Sequence, residues 1–474
     1  MQRSPARPAV ALALALAAGA LGLRPAAAAD GDGPVRWLSE YLRIDTSNPP
    51  GNEGEAAAWL AGVLHRHGVA TQRLVSPGGR TSLYARLAAP RPEAPGLLLL
   101  HHLDVVPPGE GWQDDPFSGE IRDGRVHGRG AIDAKSLGVV HLAAFLDAAA
   151  RRARLRRDLV LLAVADEEAG GAEGLGWLID AKPELFAGIG AALNEGGTNR
   201  VVGGRVLWWG IEVAQKRPLW LRVSTRGRGG HASGFHPNSA THRLVARLGA
   251  VLEVQQPPRV TEHALLHLRA LAPLHGGPFA RVFGGGTVDQ VQRALDAALA
   301  EGRDLERILL PGMLSYLTDT IQLTTLDNGN ASINVVSPRA AATLDVRLLP
   351  DTDADAFVAD LRSRLGDDVA IEVLLATPPA PASSTATDVY AALEASLGSR
   401  GPVIPAFILG TTDSRHLRRH GIDAYGFSPF VLGPEDLGGI HGPNESIPVR
   451  QVEEGAALMR ALVAALALPV ESAP

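Results

Sequence analysis

The sequence predicts an α/β protein in which a largely parallel sheet is sandwiched by helices and interrupted by a smaller α+β insert. Three observations lead there. Apolar runs of strand length, Gly96–Leu100, Asp158–Val164 and Ile189–Leu193, each run into a polar turn. A helix-patterned stretch, Leu137–Ala150, lies between two of them. Beyond about residue 215 the pattern changes to alternating strands, in Pro218–Thr225 and Ala340–Leu348.

The elements follow in order. Arg3 and Arg7 precede an apolar segment, Ala9–Leu23, and a small-residue exit, Ala26–Ala29. This predicts a cleavable export signal over 1–29, cut after Ala28 or Ala29. Its apolar core is shorter than the roughly 20 residues a membrane span needs. The expected location is therefore periplasmic or secreted, with no stable membrane anchor after cleavage. The Ala, Arg, Gly and Pro richness suits a bacterial source of high GC content. The 474 residues contain no cysteine, which excludes disulfides, thiolate ligands and a lipidated cysteine. The formal charge of −6 becomes about −9 once Arg3, Arg7 and Arg24 leave with the signal, and no basic stripe suggests a nucleic-acid partner. The mature chain suits two domains.

The first part of the sheet domain spans 30–214. It opens with helix-patterned stretches at Trp37–Leu42 and Glu53–His67, separated by the turn cluster Asn48–Asn52. Ser82–Leu87 reads as a further strand. The insert spans 215–377, with helical patterns at His242–Val254, Thr287–Ala300 and Asp353–Leu365. Its Gly-rich tract, Gly276–Gly286, reads as loop. Pro378–Ala382 reads as the linker back, and 378–474 completes the sheet domain with a helix from Asp388 to Leu397.

The chemistry-bearing residues sit where the apolar runs end. Leu97–Leu100 runs into His101, His102 and, after Leu103, Asp104. Residues two apart on a strand share a face, so His102 and Asp104 are placed to meet. Asp133 lies in the glycine-bearing run Gly128–Lys135, just before the helix-patterned stretch. Asp166, Glu167 and Glu168 follow a second strand, and Asn194 and Glu195 precede Gly196 and Gly197 after a third. Open α/β sheets bind ligands at the carboxyl ends of their strands. Alone, each cluster has an ordinary reading: a turn, a helix N-cap, a solvated acidic loop. Together, one histidine and three carboxylate clusters on one sheet rim point to a metal site. Oxygen and imidazole donors without sulfur fit zinc best, and manganese or cobalt as well. Adjacent carboxylates also allow a division of labour, in which one binds metal and its neighbour moves a proton.

Further on lie Gly230-His231-Ala232-Ser233, Ile333-Asn334-Val335, Asp345-Val346-Arg347, Gly410–Arg415 and Ile440-His441-Gly442-Pro443-Asn444-Glu445. This ordered set resembles the co-catalytic dizinc metallopeptidase family that includes aminoacylase, carboxypeptidase G and succinyl-diaminopimelate desuccinylase. The late motifs most resemble its carboxypeptidase S and N-acyl-amino-acid hydrolase branch. The resemblance implies a zinc-peptidase-like sheet domain with a lid and dimerisation insert. It implies two zinc ions, with Co2+ or Mn2+ as substitutes, bridged by Asp133. His102 and Glu195 would complete one metal's protein ligands, and Glu168 and His441 the other's. Glu167 would be the general base, and Asp104 would orient His102 from behind. His231 would stabilise the oxyanion, and it would come from the partner subunit if the insert forms a homodimer, as in many members of that family. Arg347, Asn334 and Arg415 are the candidates to hold a substrate carboxylate.

The function expected is an exported zinc-dependent hydrolase of amide bonds in short peptides, of carboxypeptidase or dipeptidase type. N-acyl-amino-acid hydrolysis is the alternative within the same chemistry. A non-catalytic peptide- or metal-binding protein on the same fold is the alternative of another class. The presence of Glu167 and of all five expected ligands argues against it.

Overall fold

The computed structural model describes residues 33–253, 256–300, 308–330 and 332–469. The expected export signal lies outside them. Among the described residues no helix is long and apolar enough to cross a membrane.

A nine-stranded mixed sheet organises the chain. Its order is Gln72–Val75, Thr81–Leu87, Leu159–Val164, Gly96–His102, Ile189–Asn194, Asp423–Gly426, Arg205–Gln215 and Val403–Ile408, with Arg200–Val202 paired to Arg205–Gln215. The central neighbours, from Leu159–Val164 across to Asp423–Gly426, are parallel. Their carboxyl ends therefore share one rim. The leucine run is continuous because both faces are covered. Leu97 and Leu99 pack into one core with Leu159 and Leu161, while Leu98 and Leu100 pack into a second with Val160 and Leu162. Helices Lys135–Ala149 and Val449–Ala467 cover the first face, and Leu175–Ala181 and Ser414–Arg419 the second.

A four-stranded antiparallel sheet, ordered Thr320–Asp327, Arg339–Leu348, Arg217–Arg226 and Ala370–Ala376, forms the smaller unit. Leu219, Leu221 and Val223 alternate inward against helices Ala240–Leu252 and Ala354–Leu365. The alternation in Pro218–Thr225 thus reflects a sheet with one covered face.

Several elements differ from the sequence reading. The stretch Glu262–His275 is a helix that packs on the edge strand Val403–Ile408 of the large sheet, and His267 is buried there with Nδ1 3.1 Å from the Pro405 carbonyl oxygen. Within the glycine tract, Gly277–Phe283 is helical rather than loop. Phe279 and Phe283, one turn apart, are both buried and hold it against the core. The strands Arg205–Gln215, Val403–Ile408 and Asp423–Gly426 were not anticipated.

Candidate active site

The parallel strand ends build the site. Gly96–His102 delivers His102, buried at 2% exposure. After Leu159–Val164 the chain turns sharply at Asp166, whose φ of +69° lies in the left-handed region that Asp tolerates better than most residues. The turn brings Glu167 and Glu168 to the rim. Asn194 ends the next strand, and Glu195 follows it.

Asp133 stands at the centre. Its Oδ1 lies 3.1 Å from Nε2 of His102 and its Oδ2 lies 3.1 Å from Nε2 of His441. Glu195 Oε2 is 3.5 Å from the same His102 nitrogen, and Glu168 Oε2 is 3.5 Å from the same His441 nitrogen. Two overlapping groups, His102–Glu167–Glu195 and His102–Asp133–Glu168, each present ligand atoms within 4.8 Å of one another. The structure therefore brings together all five expected ligands, and Glu167 with them. Asn194 turns away, its amide donating to Ser414 Oγ at 3.1 Å.

Electrostatics shows why these groups need a cation. Burial pushes the Glu195 carboxyl up to about 7. Burial also raises the Glu167 carboxyl well above its ordinary value, and the nearby Glu195 adds to the shift. Burial alone would lower the pKa of His102, but Glu195 and Asp133 outweigh it and raise it well above the usual imidazole range. His441 is pushed up to about 10 by its bonds to Asp133 and Glu168. The site thus favours positive charge at both imidazoles, a preference that divalent cations also satisfy. Glu168 Oε1 is buried with no hydrogen-bond partner. An orphaned carboxylate oxygen beside oxygen and imidazole donors fits a bound metal. Two adjacent metal-binding clusters are what a co-catalytic dizinc centre requires.

The surrounding groups refine the sequence reading. His102 Nδ1 lies 2.8 Å from the backbone carbonyl of Asp104 and 3.7 Å from its carboxylate. The Asp104 side chain instead accepts hydrogen bonds from the backbone amides of Glu167 and Glu168, both at 3.1 Å, and from Asn48 Nδ2 at 2.8 Å. Asp104 supports the histidine through its main chain and the acidic turn through its carboxylate. The chain leaves the strand at His102, so strand alternation no longer governs Asp104.

Glu445 had no assigned role. Its buried carboxylate accepts from Arg129 Nη1 at 2.7 Å and from the backbone amides of Gly130, Ile132 and Asp133 at 3.1, 2.7 and 3.2 Å. It ties the loop bearing Asp133 to the segment bearing His441. Arg80 neutralises Asp166 at 2.7 Å and also pairs with Glu53, which explains how three successive acids coexist. Asp413 is buried against Arg415 and His416, and burial pushes its carboxyl up to about 6. The signal for Glu445 was its place in the motif after His441, but nothing local showed what it would bind.

His231 and Asn334 lie together on a short ribbon, where the Asn334 carbonyl accepts from the Ala232 amide at 2.9 Å. Both side chains are exposed, and His231 Nδ1 lies 2.8 Å from Ser233 Oγ. Arg347 makes a two-point contact with Asp345, at 2.7 and 2.9 Å. Among the described residues, no hydrogen bond or ion pair joins His231, Asn334 or Arg347 to the acid–histidine cluster. Arg415 is buried, and its guanidinium donates to the carbonyls of Thr412 and Gly170, both at 2.6 Å. These main-chain bonds engage it in holding two loops together rather than leaving it free for a substrate carboxylate.

The chain is similar to known proteins over most of its length. Rat aminoacylase-1A is 29% identical over 455 residues, covering 92% of this chain and 97% of that protein. The mouse N-fatty-acyl-amino acid synthase/hydrolase PM20D1 is 26% identical over 386 residues, covering 75% and 71%. Among solved structures, human carnosine dipeptidase 1 superposes with a TM-score of 0.67 at 16% identity, covering 91% of this chain and 96% of that one. The metallo-carboxypeptidase Sso-CP2 of Sulfolobus solfataricus superposes with a TM-score of 0.68 at 19% identity, covering 91% and 98%. Residues 98–465 match the model of peptidase family M20/M25/M40, and the chain belongs to that family.

Proposed function

We propose that this protein is a zinc-dependent hydrolase that cleaves the amide bond between an acyl group, peptide or simple, and a carboxyl-terminal amino acid. The observation that carries the reading is Asp133 set between His102 and His441, with Glu167 alongside. His102, Glu195 and Asp133 would hold one metal, and Glu168, His441 and Asp133 the other. Bound there, divalent metals supply a water of lowered pKa and a Lewis-acid contact for the carbonyl.

Glu167 takes the proton of the attacking water. Its carboxylate stands among the ligand atoms of His102 and Glu195, beside the place where such a water would be held. The same carboxyl then passes the proton to the departing amine. His231 is the donor proposed for the oxyanion. Its exposure, and the lack among the described residues of any hydrogen bond or ion pair joining it to the cluster, support its delivery by a second subunit. The fully exposed Phe235 and Ile333 beside this ribbon support a homodimer through the insert. Arg347 and Asn334 are the groups proposed for the substrate carboxylate. The basic start, apolar core and small-residue exit of residues 1–29 support export of the protein to the periplasm or medium.

The test is hydrolysis of a panel of dipeptides and N-acyl amino acids by the zinc-loaded protein, with release of the free amino acid. The expected result is turnover that a chelator abolishes and zinc restores. Turnover insensitive to chelation would overturn the reading.

A further inference from the structure

Four cationic side chains, Lys216, Arg217, Arg415 and Arg418, line one cavity with about 250 Å3 of open space. All four are buried, Lys216 at 1% exposure and Arg217, the most open, at 7%. The cavity sits where the chain passes between the two sheets. Lys216 is the single residue between Arg205–Gln215 of the large sheet and Arg217–Arg226 of the small one, and the return crossing from Thr377 to Pro381 closes the lining. The cations bond chiefly to neutral main-chain groups. Lys216 Nζ donates to the Thr318 carbonyl at 2.8 Å, and Arg217 donates to the carbonyls of Thr377, Pro350 and Thr352 at 2.9, 3.1 and 2.7 Å. Three carboxylates stand against these four charges: Glu212, 2.6 Å from Arg418; Asp413, 4.0 Å from Arg415; and Asp319, whose charge acts on both Lys216 and Arg217. Asp351 and Asp353 also act on Arg217, but Asp351 pairs with Arg259 at 2.5 Å and Asp353 caps the helix Ala354–Leu365. Arg347, which repels Lys216, is held by Asp345. One positive charge is left over. Burial accordingly pushes Lys216 down to about 8 and lowers Arg217, so Asp319 does not offset what these groups lose on leaving water.

We propose that this cavity binds one small monovalent anion of the chloride class, which fastens the two sheets together at their crossings and steadies the acidic turn of the active site. A single negative charge balances the surplus, and a buried charge is costly without such a partner. Donors remain for it: among the described residues Arg217 Nη2 makes no hydrogen bond, and Lys216 Nζ makes two of its three. Arg415 carries the effect to the site. Its guanidinium donates to the Gly170 carbonyl at 2.6 Å, and the Gly170 amide donates to the Glu167 carbonyl at 2.8 Å. With the anion in place the four cations approach without mutual repulsion. Without it, repulsion pushes the crossings and Arg415 apart, and the turn bearing Glu167 loses part of its support.

The experiment replaces sodium gluconate, whose anion is too large for the cavity, by sodium chloride at constant ionic strength. It uses the zinc-loaded protein and its Lys216→Met variant, and reads the thermal midpoint and the kcat on a dipeptide or N-acyl amino acid that the protein cleaves. The unaltered protein should show a saturable gain of about 3 °C at ten times the dissociation constant for chloride, with kcat rising about fivefold over the same range. Lys216→Met removes the surplus charge, so both effects should vanish from it, whereas any effect of chloride on the metals would persist. A midpoint independent of chloride, or a chloride effect unchanged in Lys216→Met, would overturn the proposal. A midpoint that responds while kcat does not would keep the anion site and overturn its link to the acidic turn. Should Lys216→Met fail to fold, crystals of the unaltered protein grown in sodium bromide decide. An anomalous bromide peak in contact with Lys216 and Arg217 sustains the site, and its absence overturns it. The midpoint and the bromide peak need no substrate, so failure of the hydrolase reading leaves this test intact.

Discussion

The backbone carbonyl of Asp104 lies 2.8 Å from Nδ1 of His102, whereas the Asp104 carboxylate is 3.7 Å from that nitrogen. A metal-ligating histidine donates its other N–H to a carboxylate, a backbone carbonyl or water. Here the main chain is the nearer acceptor, which frees the carboxylate to gather the amides of Glu167 and Glu168. One residue thus positions groups on two strands.

Asp104→Asn tests this arrangement. Every group facing the carboxylate is a donor, so the new amide sets an N–H against at least one of them. The acidic turn should shift while the His102 contact to the carbonyl persists. We expect activity about 10- to 100-fold lower, the usual effect of losing a group behind the metal ligands. In nitrogen-resolved NMR of the zinc-loaded protein, the His102 Nδ1–H signal should remain. Loss of that signal would return the orienting role to the carboxylate.

Glu167→Gln removes the proton carrier and leaves the expected ligands in place. Positioned general bases contribute about 10²- to 10⁴-fold, and kcat should fall by that order. Two zinc ions per chain should still be found by elemental analysis. Turnover near the original rate would remove Glu167 from the mechanism.

Glu445→Ala addresses the tie between the Asp133 loop and the His441 segment. Arg129 and Glu445 are both within 1% of full burial at their side chains and 2.7 Å apart. Removing the acid leaves a buried guanidinium unpaired and three backbone amides without their acceptor. Breaking such a pair costs about 3–5 kcal/mol. Chemical denaturation should show a loss of that order, accompanied by weaker zinc retention at the site around Asp133. Full stability would mean that water or the Pro108 carbonyl, 3.2 Å from Arg129 Nη2, replaces the carboxylate.

How much of this was legible in the sequence depended on how local each signal was. The site residues His102, Asp133, Glu168 and Glu195 stood out because each ends an apolar run or lies in a glycine loop, and the parallel strand ends align them. Two strands toward one side of the large sheet were hidden. Arg205–Gln215 carries Gly210, and Val403–Ile408 carries Pro405, so both lack the uninterrupted apolar signature that pairing with distant segments makes unnecessary. The helix Gly277–Phe283 was masked by flanking glycines, and only the burial of Phe279 and Phe283 accounts for it. The contacts of Asn48, Arg80 and Glu445 span tens to hundreds of residues, and no local pattern encodes them. Arg415 resembled a substrate ligand by motif, but burial among main-chain carbonyls gives it another task.

Among the described residues His231 makes no hydrogen bond or ion pair with the acid–histidine cluster, and its side chain is exposed. If a second subunit supplies this side chain, a His231→Ala chain and a Glu167→Gln chain should each be nearly inactive alone. In a hybrid dimer, the His231→Ala chain keeps Glu167 and receives His231 from its companion, so one of its two sites is complete. Random exchange in an equal mixture makes about half of the dimers hybrid, which restores about a quarter of the original activity. Mixing after partial dissociation, followed by an activity assay and light scattering, measures both the recovery and the assembly. Recovery in proportion to the hybrid fraction would establish a shared site. A dimer that never complements would place the oxyanion donor within the same chain, and a monomer active alone would remove the second subunit from catalysis.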